Sequence, residues 1–223
     1  MDSEIDRRRR RAKNQGRSSY NRRRDEILRA AASVFRDKGF SRTNFSEVAA
    51  ELGMDRASLY YYVGGKDELF SDVVLDALTE NVRAATAVQE SSASPPEKVR
   101  TLLRDLFRSY VEFYPFQVVY LQENLEHIAE DDAQWLDEIR ALENVHFEYV
   151  ESIVQEGVDD GSIREVGPPW LMTRALLGMV ASTARWYEPG ETAPDPERLG
   201  DTFSSILLVG IASDLDPDAT PPR

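Results

Sequence analysis

Apolar residues recur at helical spacing along most of this chain. The first clear stripe, which begins after Asn21, consists of Ile27, Leu28, Ala31, Val34 and Phe35. Residues spaced in this way share one face of a helix, and Gly39 in the sequence "DKGF" marks its end. We find no alternating strand pattern and no internal repeat, so the pattern predicts an all-α protein of about nine helices.

Two short helices follow, joined by a turn that contains Gly53. Asn44 and Glu47 form a capping box at the start of the first, and Asp55 is a good N-cap for the second. The predicted buried positions are Phe45, Val48, Ala49 and Leu52 in the first helix and Leu59 and Val63 in the second. Two short helices with a sharp glycine turn indicate a helix-turn-helix, here at about residues 44–63.

Longer helices are expected in the rest of the chain. One runs from Lys66 to about Gln89 and ends before the break "SSASPP". Further helices are predicted at about 97–113, 116–128 and 132–160, and prolines bracket two more near the C-terminus. Residues 1–20 hold almost nothing apolar and read as a disordered basic arm.

Charge is distributed unevenly along the chain. Residues 1–70 hold 16 basic and 11 acidic side chains, net +5, whereas residues 71–223 hold 11 and 29, net −18, which accounts for the formal net charge of −13. The first segment can meet a polyanion, and the second would be repelled by one. Because there is no cysteine, disulfides and thiolate zinc sites are excluded. No apolar run resembles a secretory signal or a membrane span, so we expect a cytoplasmic protein without a membrane partner.

The second helix of the pair presents polar and aromatic side chains outward. With its two apolar positions directed inward, helical projection leaves Ala57, Tyr60 and Tyr61 on the outer side and Tyr62 on the flank. A tyrosine hydroxyl can donate to a phosphate oxygen. Arg56, at the helix N-terminus, can pair with O6 and N7 of guanine, and Lys66 can hold a further phosphate. The alternative is that the tyrosines are packing residues and both cations are solvated.

The segment from Arg24 to Phe70 resembles the tetracycline-repressor (TetR) family of bacterial transcription regulators. The resemblance rests on "ILRAAASVFRDKGF", "TNFSEVAAELGM" and "ASLYYYVGGKDELF" and on their spacing. It implies phosphate contacts by Thr43, Tyr60, Tyr62 and Lys66, and groove contacts by Arg56, Ala57, Ser58 and Tyr61; Asn44 completes the expected DNA-contacting set. Three positions, Asp55, Val63 and Gly65, differ from the residues common in the family, and Asp55 adds a negative charge near the expected phosphates.

The resemblance also implies a domain organisation. After the arm at 1–20, we expect a DNA-binding domain at 21–81, a ligand-binding and dimerisation domain at 82–215, and a tail at 216–223. The sequence "RRRRR" in the arm is either a minor-groove or phosphate tether or a solvated charge tail.

The last two helices interleave apolar and small residues, which allows helices to approach closely. Two such helices from each chain would form a four-helix interface of a homodimer. The expected dimerisation residues are Leu171, Ala175, Gly178, Met179 and Ser182 on one helix and Phe203, Ile206, Leu207, Gly210 and Ile211 on the other. The alternative is an intramolecular core.

Aromatic residues are dense in the middle helices, where a small-molecule pocket is expected. The candidate lining residues are Phe107, Tyr110, Tyr114, Tyr120, Asn124, His127, Trp135, Phe147 and Arg174. Asn124 and His127 are polar among apolar residues and are candidates to orient a ligand. Arg100, Arg104 and Arg108 form a stripe for which surface ion pairing is preferred over binding of an anionic ligand group.

The segment from Ala175 to Ile211 is similar to the TetR subgroup that controls steroid and fatty-acid catabolism and responds to acyl-coenzyme A thioesters. The similarity rests on "LLGM", "RWYEPG" and "LLVGI". It implies a bulky acyl-CoA effector, with Arg174 or Arg185 available for its phosphates. A hydrophobic drug or a free fatty acid is the alternative.

These features favour a dimeric repressor that binds a palindromic double-stranded operator and is released by a small-molecule effector. A thioester hydrolase that uses His127 or His146 is a different possibility, but no nucleophile motif, phosphate loop or metal-ligand spacing supports it. A constitutive DNA-binding protein without ligand is a third. No cofactor or metal is predicted.

Overall fold

The computed structural model describes residues 17–40, 42–122 and 134–209. The helices in this part of the chain are α1 (Arg17–Lys38), α2 (Phe45–Glu51), α3 (Arg56–Tyr62), α4 (Lys66–Gln89), α5 (Pro95–Glu112), α6 (Phe116–Gln122), α7 (Gln134–Asp159), α8 (Pro169–Ser182) and α9 (Pro196–Leu208), with a 3-10 turn at Thr183–Arg185. The described residues contain no strand, and the predicted all-α class is confirmed.

The helix-turn-helix has the caps expected from its sequence. The side chain of Asn44 accepts a hydrogen bond from the Glu47 backbone N–H, and Glu47 accepts one in return from the Asn44 backbone N–H. Asp55 caps α3, and Gly53 has a φ of +60°, the left-handed conformation that favours glycine. Local side-chain chemistry therefore starts both helices and reverses the chain between them.

Some boundaries differ from the expected ones. α1 begins at Arg17, not at Asn21, and Tyr20 within it is buried, so the segment assigned to a disordered arm extends too far. α3 ends at Tyr62, and Val63 follows in an extended conformation. The predicted "RRRRR" tether, the end of the helix expected at 116–128 and the tail at 216–223 lie outside the described residues.

The described residues up to Asp76, together with those of Phe113–Glu138, form one compact unit. Its core contains Phe35, Phe40 and Phe70, whose rings follow one another at 4.9 and 4.8 Å, and Leu59 of α3 is fully buried there. Burying one such side chain contributes about 2–3 kcal/mol. This core holds α3 against α1 and α2 and leaves its opposite face exposed.

The first unit includes α6, which was expected in the ligand-binding domain. Phe116, Val118 and Val119 of α6 are buried, and α6 packs on α1. A single boundary at residue 81 therefore does not separate the two units, because α6 belongs to the first. Its apolar face is covered by α1, which lies almost eighty residues earlier in the chain.

The second unit contains the described residues of Ala77–Glu112 and Ile139–Arg223. α5 and α9 pack closely in it, because Gly200 has no side chain: a Cβ atom at this position would lie 2.7 Å from the Arg104 Cα atom. The Phe107 and Phe203 rings meet edge to face at 4.9 Å. On the surface, Arg104 pairs with Asp201 and Arg108 with Glu197, which joins the two helices at their edge.

Candidate nucleic-acid interface and second-unit helices

Asp55 is bound into the first turn of α3. It accepts hydrogen bonds from the Ser58 backbone N–H at 2.8 Å and the Ser58 hydroxyl at 2.6 Å. These bonds, the hydroxyl first, hold the pKa of Asp55 below its usual value, so the carboxylate stays ionised. The negative charge of Asp55 is stabilised by the positive N-terminal end of the α3 dipole. The Ser58 hydroxyl, which was expected at the groove, is engaged in this cap.

Arg56 and Tyr60 form an ordered pair on the exposed side of α3. The Arg56 Nη2 atom donates to the Tyr60 hydroxyl at 3.1 Å, and the guanidinium carbon lies 5.4 Å from the Tyr60 ring centre. The Tyr60 ring also packs on Phe45 of α2 at 4.9 Å. Arg56 is exposed, and within the described residues it makes no ion pair. Tyr60, which is neutral and packs on α2, thus holds the Arg56 guanidinium toward solvent.

Tyr61 and Tyr62 are half-buried and belong to a cluster of three tyrosines. Their rings are perpendicular at 5.2 Å. Tyr20 of α1 stacks on Tyr62 at 5.2 Å and meets Tyr61 edge-on at 6.3 Å. Tyr20 was not among the expected site residues, because it falls before the apolar stripe of α1; its spacing of seven residues from Ile27, two helical turns, is the signal that places it on the same face.

Two expected phosphate contacts have internal partners instead. Thr43 is 3% exposed, and its hydroxyl donates to the Gly39 carbonyl at 2.9 Å. The Lys66 ammonium donates to the carbonyls of Phe40 at 2.9 Å and Thr43 at 3.2 Å, and it lies 4.3 Å from the Phe40 ring centre. The Thr43 hydroxyl is enclosed by the fold, and Lys66 ties α4 to the loop before α2; the phosphate contacts expected of both stay predictions. The Asn44 side chain, also expected at DNA, serves as the α2 cap.

The expected effector residues do not all lie in the same unit. Phe107, Tyr110, Phe147 and Arg174 belong to the second unit, whereas Tyr114, Tyr120 and Trp135 belong to the first. Trp135 contacts the Phe70 ring edge-on at 6.3 Å, so it extends the core beneath the helix-turn-helix. Asn124 and His127 lie outside the described residues.

Within the second unit, Phe107 and Tyr110 are core residues. Phe107 is fully buried against Phe203, and Tyr110, 2% exposed, donates its hydroxyl to the Tyr187 carbonyl at 3.0 Å. Phe147 is half-buried beneath Arg174, whose guanidinium carbon lies 4.7 Å from the ring centre. Arg174 is exposed and remains available to an anion.

Three buried polar side chains of the second unit were not singled out as pocket residues. The hydroxyls of Ser109 and Thr173 are buried, and neither has a hydrogen-bond partner among the described residues. His146 is on the buried face of α7, and burial lowers its pKa to about 4, so it is neutral at pH 7. Buried polar groups are normally paired, and the two hydroxyls therefore require an explanation.

The expected dimerisation residues fall on an open face of α8. Leu171, Ala175, Gly178 and Ser182 are exposed, while Leu176 and Val180 on the opposite side are buried. Apart from its own helix backbone and chain neighbours, a Cβ atom added at Gly178 would have none of the described residues within 4 Å. Met179 is half-buried. Trp170 and Trp186, which were not among the expected dimerisation residues, are also exposed, at 52% and 57%.

On α9 the expected residues divide between core and surface. Ile206 is 40% exposed and Val209 beyond it is 81% exposed. Phe203 and Leu207 are half-buried, and the Phe203 ring packs on Phe107. Phe203 therefore belongs at least partly to the core of its own unit. Gly210 and Ile211 lie outside the described residues.

Two family models match the chain. The model of bacterial regulatory proteins of the tetR family matches residues 27–73, and the tetracyclin repressor-like C-terminal domain matches residues 92–211. The HTH-type transcriptional repressor KstR2 of Mycolicibacterium smegmatis is 29% identical over 189 residues, which cover 85% of this chain and 90% of that protein.

Two solved structures share the fold. The ketosteroid transcriptional regulator KstR2 of Mycobacterium tuberculosis is 22% identical, with a TM-score of 0.76 over 86% of this chain and 96% of that one. AibR in complex with isovaleryl coenzyme A and operator DNA is 21% identical, with a TM-score of 0.65 over 83% of this chain and 98% of that one.

The chain belongs to the TetR family of bacterial transcriptional regulators. It is a DNA-binding regulator and not an enzyme, which removes the hydrolase alternative for His146. Over residues 17–40, 42–122 and 134–209, no helix is both long and apolar enough to span a membrane, and no three metal-ligating side chains come together.

Proposed function

We propose that this protein is a homodimeric repressor that binds a palindromic operator through α3 and is released by an acyl-CoA thioester. The DNA-binding part of this proposal rests on the Arg56–Tyr60 pair, which lies on the exposed face of α3, a helix capped by Asp55. An operator-binding protein works where the chromosome is, so we place it in the cytoplasm.

The α3 surface suits the major groove. Arg56 stands at the helix N-terminus, the end that meets base edges first in helix-turn-helix proteins, and its fork of donors matches O6 and N7 of guanine. Ala57 beside it is exposed and leaves room for a base edge. Tyr60, Tyr61 and Tyr62 supply hydroxyls for phosphates and the groove wall without adding negative charge.

Replacing Arg56 by alanine tests this surface. Operator fragments are first selected from genomic DNA with the wild-type protein, and binding is then measured by fluorescence anisotropy on the selected site and its single-base variants. We expect Arg56→Ala to lose about 1–3 kcal/mol of discrimination at one base pair in each half-site. Arg198→Ala, an exposed arginine of α9, is the matched control. An unchanged base preference in Arg56→Ala would exclude direct readout by Arg56.

The homodimer is supported by the open face of α8. Leu171, Ala175 and Gly178 lie there in helical register, and Trp170 and Ile206 add exposed apolar surface in the same unit. Isolated exposed apolar residues are ordinary, but a row of them with small residues suits helix packing. A two-fold dimer would present two copies of α3, which is why a palindromic operator is expected.

An acyl-CoA effector is supported by both the relatives and this chain's own chemistry. AibR binds isovaleryl coenzyme A, and the similarity to KstR2 covers most of the chain. In the second unit, Arg174 and Arg185 are exposed cations for phosphates. The buried hydroxyls of Ser109 and Thr173, which have no partner in the described part of the chain, are donors that a buried acyl or keto oxygen would satisfy.

Release follows if operator and effector favour different states of the dimer. The effector then lowers operator affinity by the coupling free energy between the two sites, typically 1–3 kcal/mol. The test is to titrate operator-bound protein with a panel of acyl-CoA thioesters, free coenzyme A, free fatty acids and hydrophobic drugs, and to follow anisotropy. Release by a thioester but not by its free acid supports the proposal. Release by the acids or drugs alone would favour the alternative effector class.

A further inference from the structure

Tyr20 is an aromatic residue close to the beginning of α1 and is only 7% exposed. Its ring stacks on Tyr62 with centres 5.2 Å apart and planes inclined by 28°, and it meets Tyr61 edge-on at 6.3 Å. Its hydroxyl donates to the Tyr62 carbonyl at 3.2 Å. One side chain of α1 therefore contacts both C-terminal tyrosines of α3.

The end of α3 needs such a contact. α3 has seven residues, and a helix of this length is not stable by itself in water. The carbonyls of its last turn lack partners within the helix, and Tyr20 supplies one to the final residue, Tyr62. Leu59, buried in the core, fixes the middle of α3, while Tyr20 fixes its end.

We propose that Tyr20 is a positioning residue for operator binding, which holds Tyr61 and Tyr62 in the arrangement that contacts DNA. This inference rests on the proposed DNA contacts of Tyr61 and Tyr62. A side chain ordered before binding does not lose its rotamer freedom on the operator. Tyr20 acts through the other two rings, and it contacts no DNA group itself.

The two kinds of contact can be separated by the replacement chosen. Tyr20→Phe keeps both ring contacts and removes the hydrogen bond to the Tyr62 carbonyl. Tyr20→Leu fills part of the space without an aromatic face, and Tyr20→Ala removes the side chain beyond Cβ. We expect operator affinity to fall by less than threefold for Phe and by about tenfold for Leu and Ala.

The decisive experiment is a double-mutant cycle on the full chain with the selected operator. Tyr20→Leu, a variant with both Tyr61→Ala and Tyr62→Ala, and the triple variant are compared with wild type by anisotropy, at a temperature where circular dichroism shows all four folded. If Tyr20 acts through Tyr61 and Tyr62, the triple variant will bind no more than about twofold more weakly than the variant that lacks those two rings.

Each outcome is decisive. Losses that multiply in the triple variant, or a Tyr20→Leu protein with wild-type affinity, overturn the inference while the proposed DNA site stands. If Arg56→Ala and the variant with both Tyr61→Ala and Tyr62→Ala bind the operator like wild type, the proposed DNA site itself is wrong, and the positioning role falls with it. A merely structural Tyr20 would lower the melting temperature and leave the losses in affinity independent.

Discussion

Lys66 has a structural role that its position in the sequence did not indicate. It is half-buried, and its ammonium group binds two carbonyls of the loop between α1 and α2. Hydrogen bonds from a charged donor are stronger than neutral ones. Two such bonds, with the Phe40 ring beneath them, fix the first residue of α4 to the support of the helix-turn-helix.

We therefore predict that Lys66→Ala destabilises the fold. The Phe40 and Thr43 carbonyls lose the charged donor, although the Phe40 carbonyl keeps its bond from the Thr43 backbone N–H, so the free energy of unfolding should fall by about 1–3 kcal/mol in a urea titration. Lys38→Ala, which removes an exposed ion pair with Glu47, is the control and should cost less than about 1 kcal/mol. Lys66 would instead be a phosphate contact if the urea midpoint were unchanged and the slope of log operator affinity against log salt concentration became shallower by about one.

His146 gives the fold a pH dependence. Its pKa is lowered to about 4 by burial, against about 6.5 in an unfolded chain. Between these values the unfolded state binds the proton and the folded state does not, so stability falls as the pH decreases from about 6.5 to 4 and is fully present above that window.

The matched variant is His146→Gln, which cannot be protonated. Relative to this variant, wild type should lose up to about 3 kcal/mol of unfolding free energy between pH 7 and pH 4. Urea titrations of both proteins at several pH values measure the difference, and other titrating groups cancel in it. Parallel stability curves for the two proteins would contradict the burial of a neutral imidazole.

At the scale of the helices, Gly200 sets the distance between α5 and α9, because it is the smallest residue in their contact. Gly200 is buried, and a Cβ atom there would lie 2.7 Å from the Cα and 2.8 Å from the N atom of Arg104. Backbone atoms cannot move aside as a flexible side chain can. The Arg104–Asp201 and Phe107–Phe203 contacts on either side depend on the same separation.

Gly200→Ala should therefore destabilise the second unit even though alanine is the better helix former. We expect a loss of about 1–3 kcal/mol in unfolding free energy from overpacking, measured by urea titration. Thr101→Ala is the control: it replaces an exposed residue of α5 and should raise the unfolding free energy by up to about 0.7 kcal/mol through helix propensity. Equal effects of the two substitutions would show that the helices have room to separate.

The elements differ in how well the sequence predicted them, and the reason is distance along the chain. The α2 and α3 caps involve residues three apart, and the buried Leu59 and Val63 follow from helical spacing, so all were predicted. Lys66 binds residues 23 and 26 positions away, and Tyr20 binds one 42 positions away. Such partners depend on how helices pack, which helical periodicity does not specify.

At the scale of the whole molecule, the distribution of charge agrees with a division of labour. Residues up to Phe70 have a net charge of +5, and the rest have −18. A strongly acidic segment is repelled by DNA, so it favours an arrangement in which only the helix-turn-helix reaches the operator. The acidic part is then left to assemble the dimer and bind the effector, as proposed.

The proposed dimer can be tested by a substitution at Gly178. Gly178 lies on the open face of α8, with exposed Leu171 and Ala175 in the same row. Beyond its own helix backbone and chain neighbours, a Cβ atom at this position has no described residue within 4 Å, and arginine should raise helix propensity by about 0.5–1 kcal/mol. In a dimer that packs on this row, the same side chain places a charge in an apolar contact. Gly178→Arg should therefore weaken association without weakening the monomer fold.

Light scattering coupled to size exclusion measures this directly. Wild type should elute at twice the chain mass of 25.3 kDa, and Gly178→Arg should shift toward one chain mass at micromolar concentration. Gly190 is also exposed, lies in the loop before α9 and has no described residue within 4 Å of an added Cβ atom except its chain neighbours, so Gly190→Arg should remain dimeric. Because each monomer carries one α3, operator affinity of Gly178→Arg should fall at least tenfold on the palindrome and little on a half-site. A dimeric Gly178→Arg would place the interface on another face.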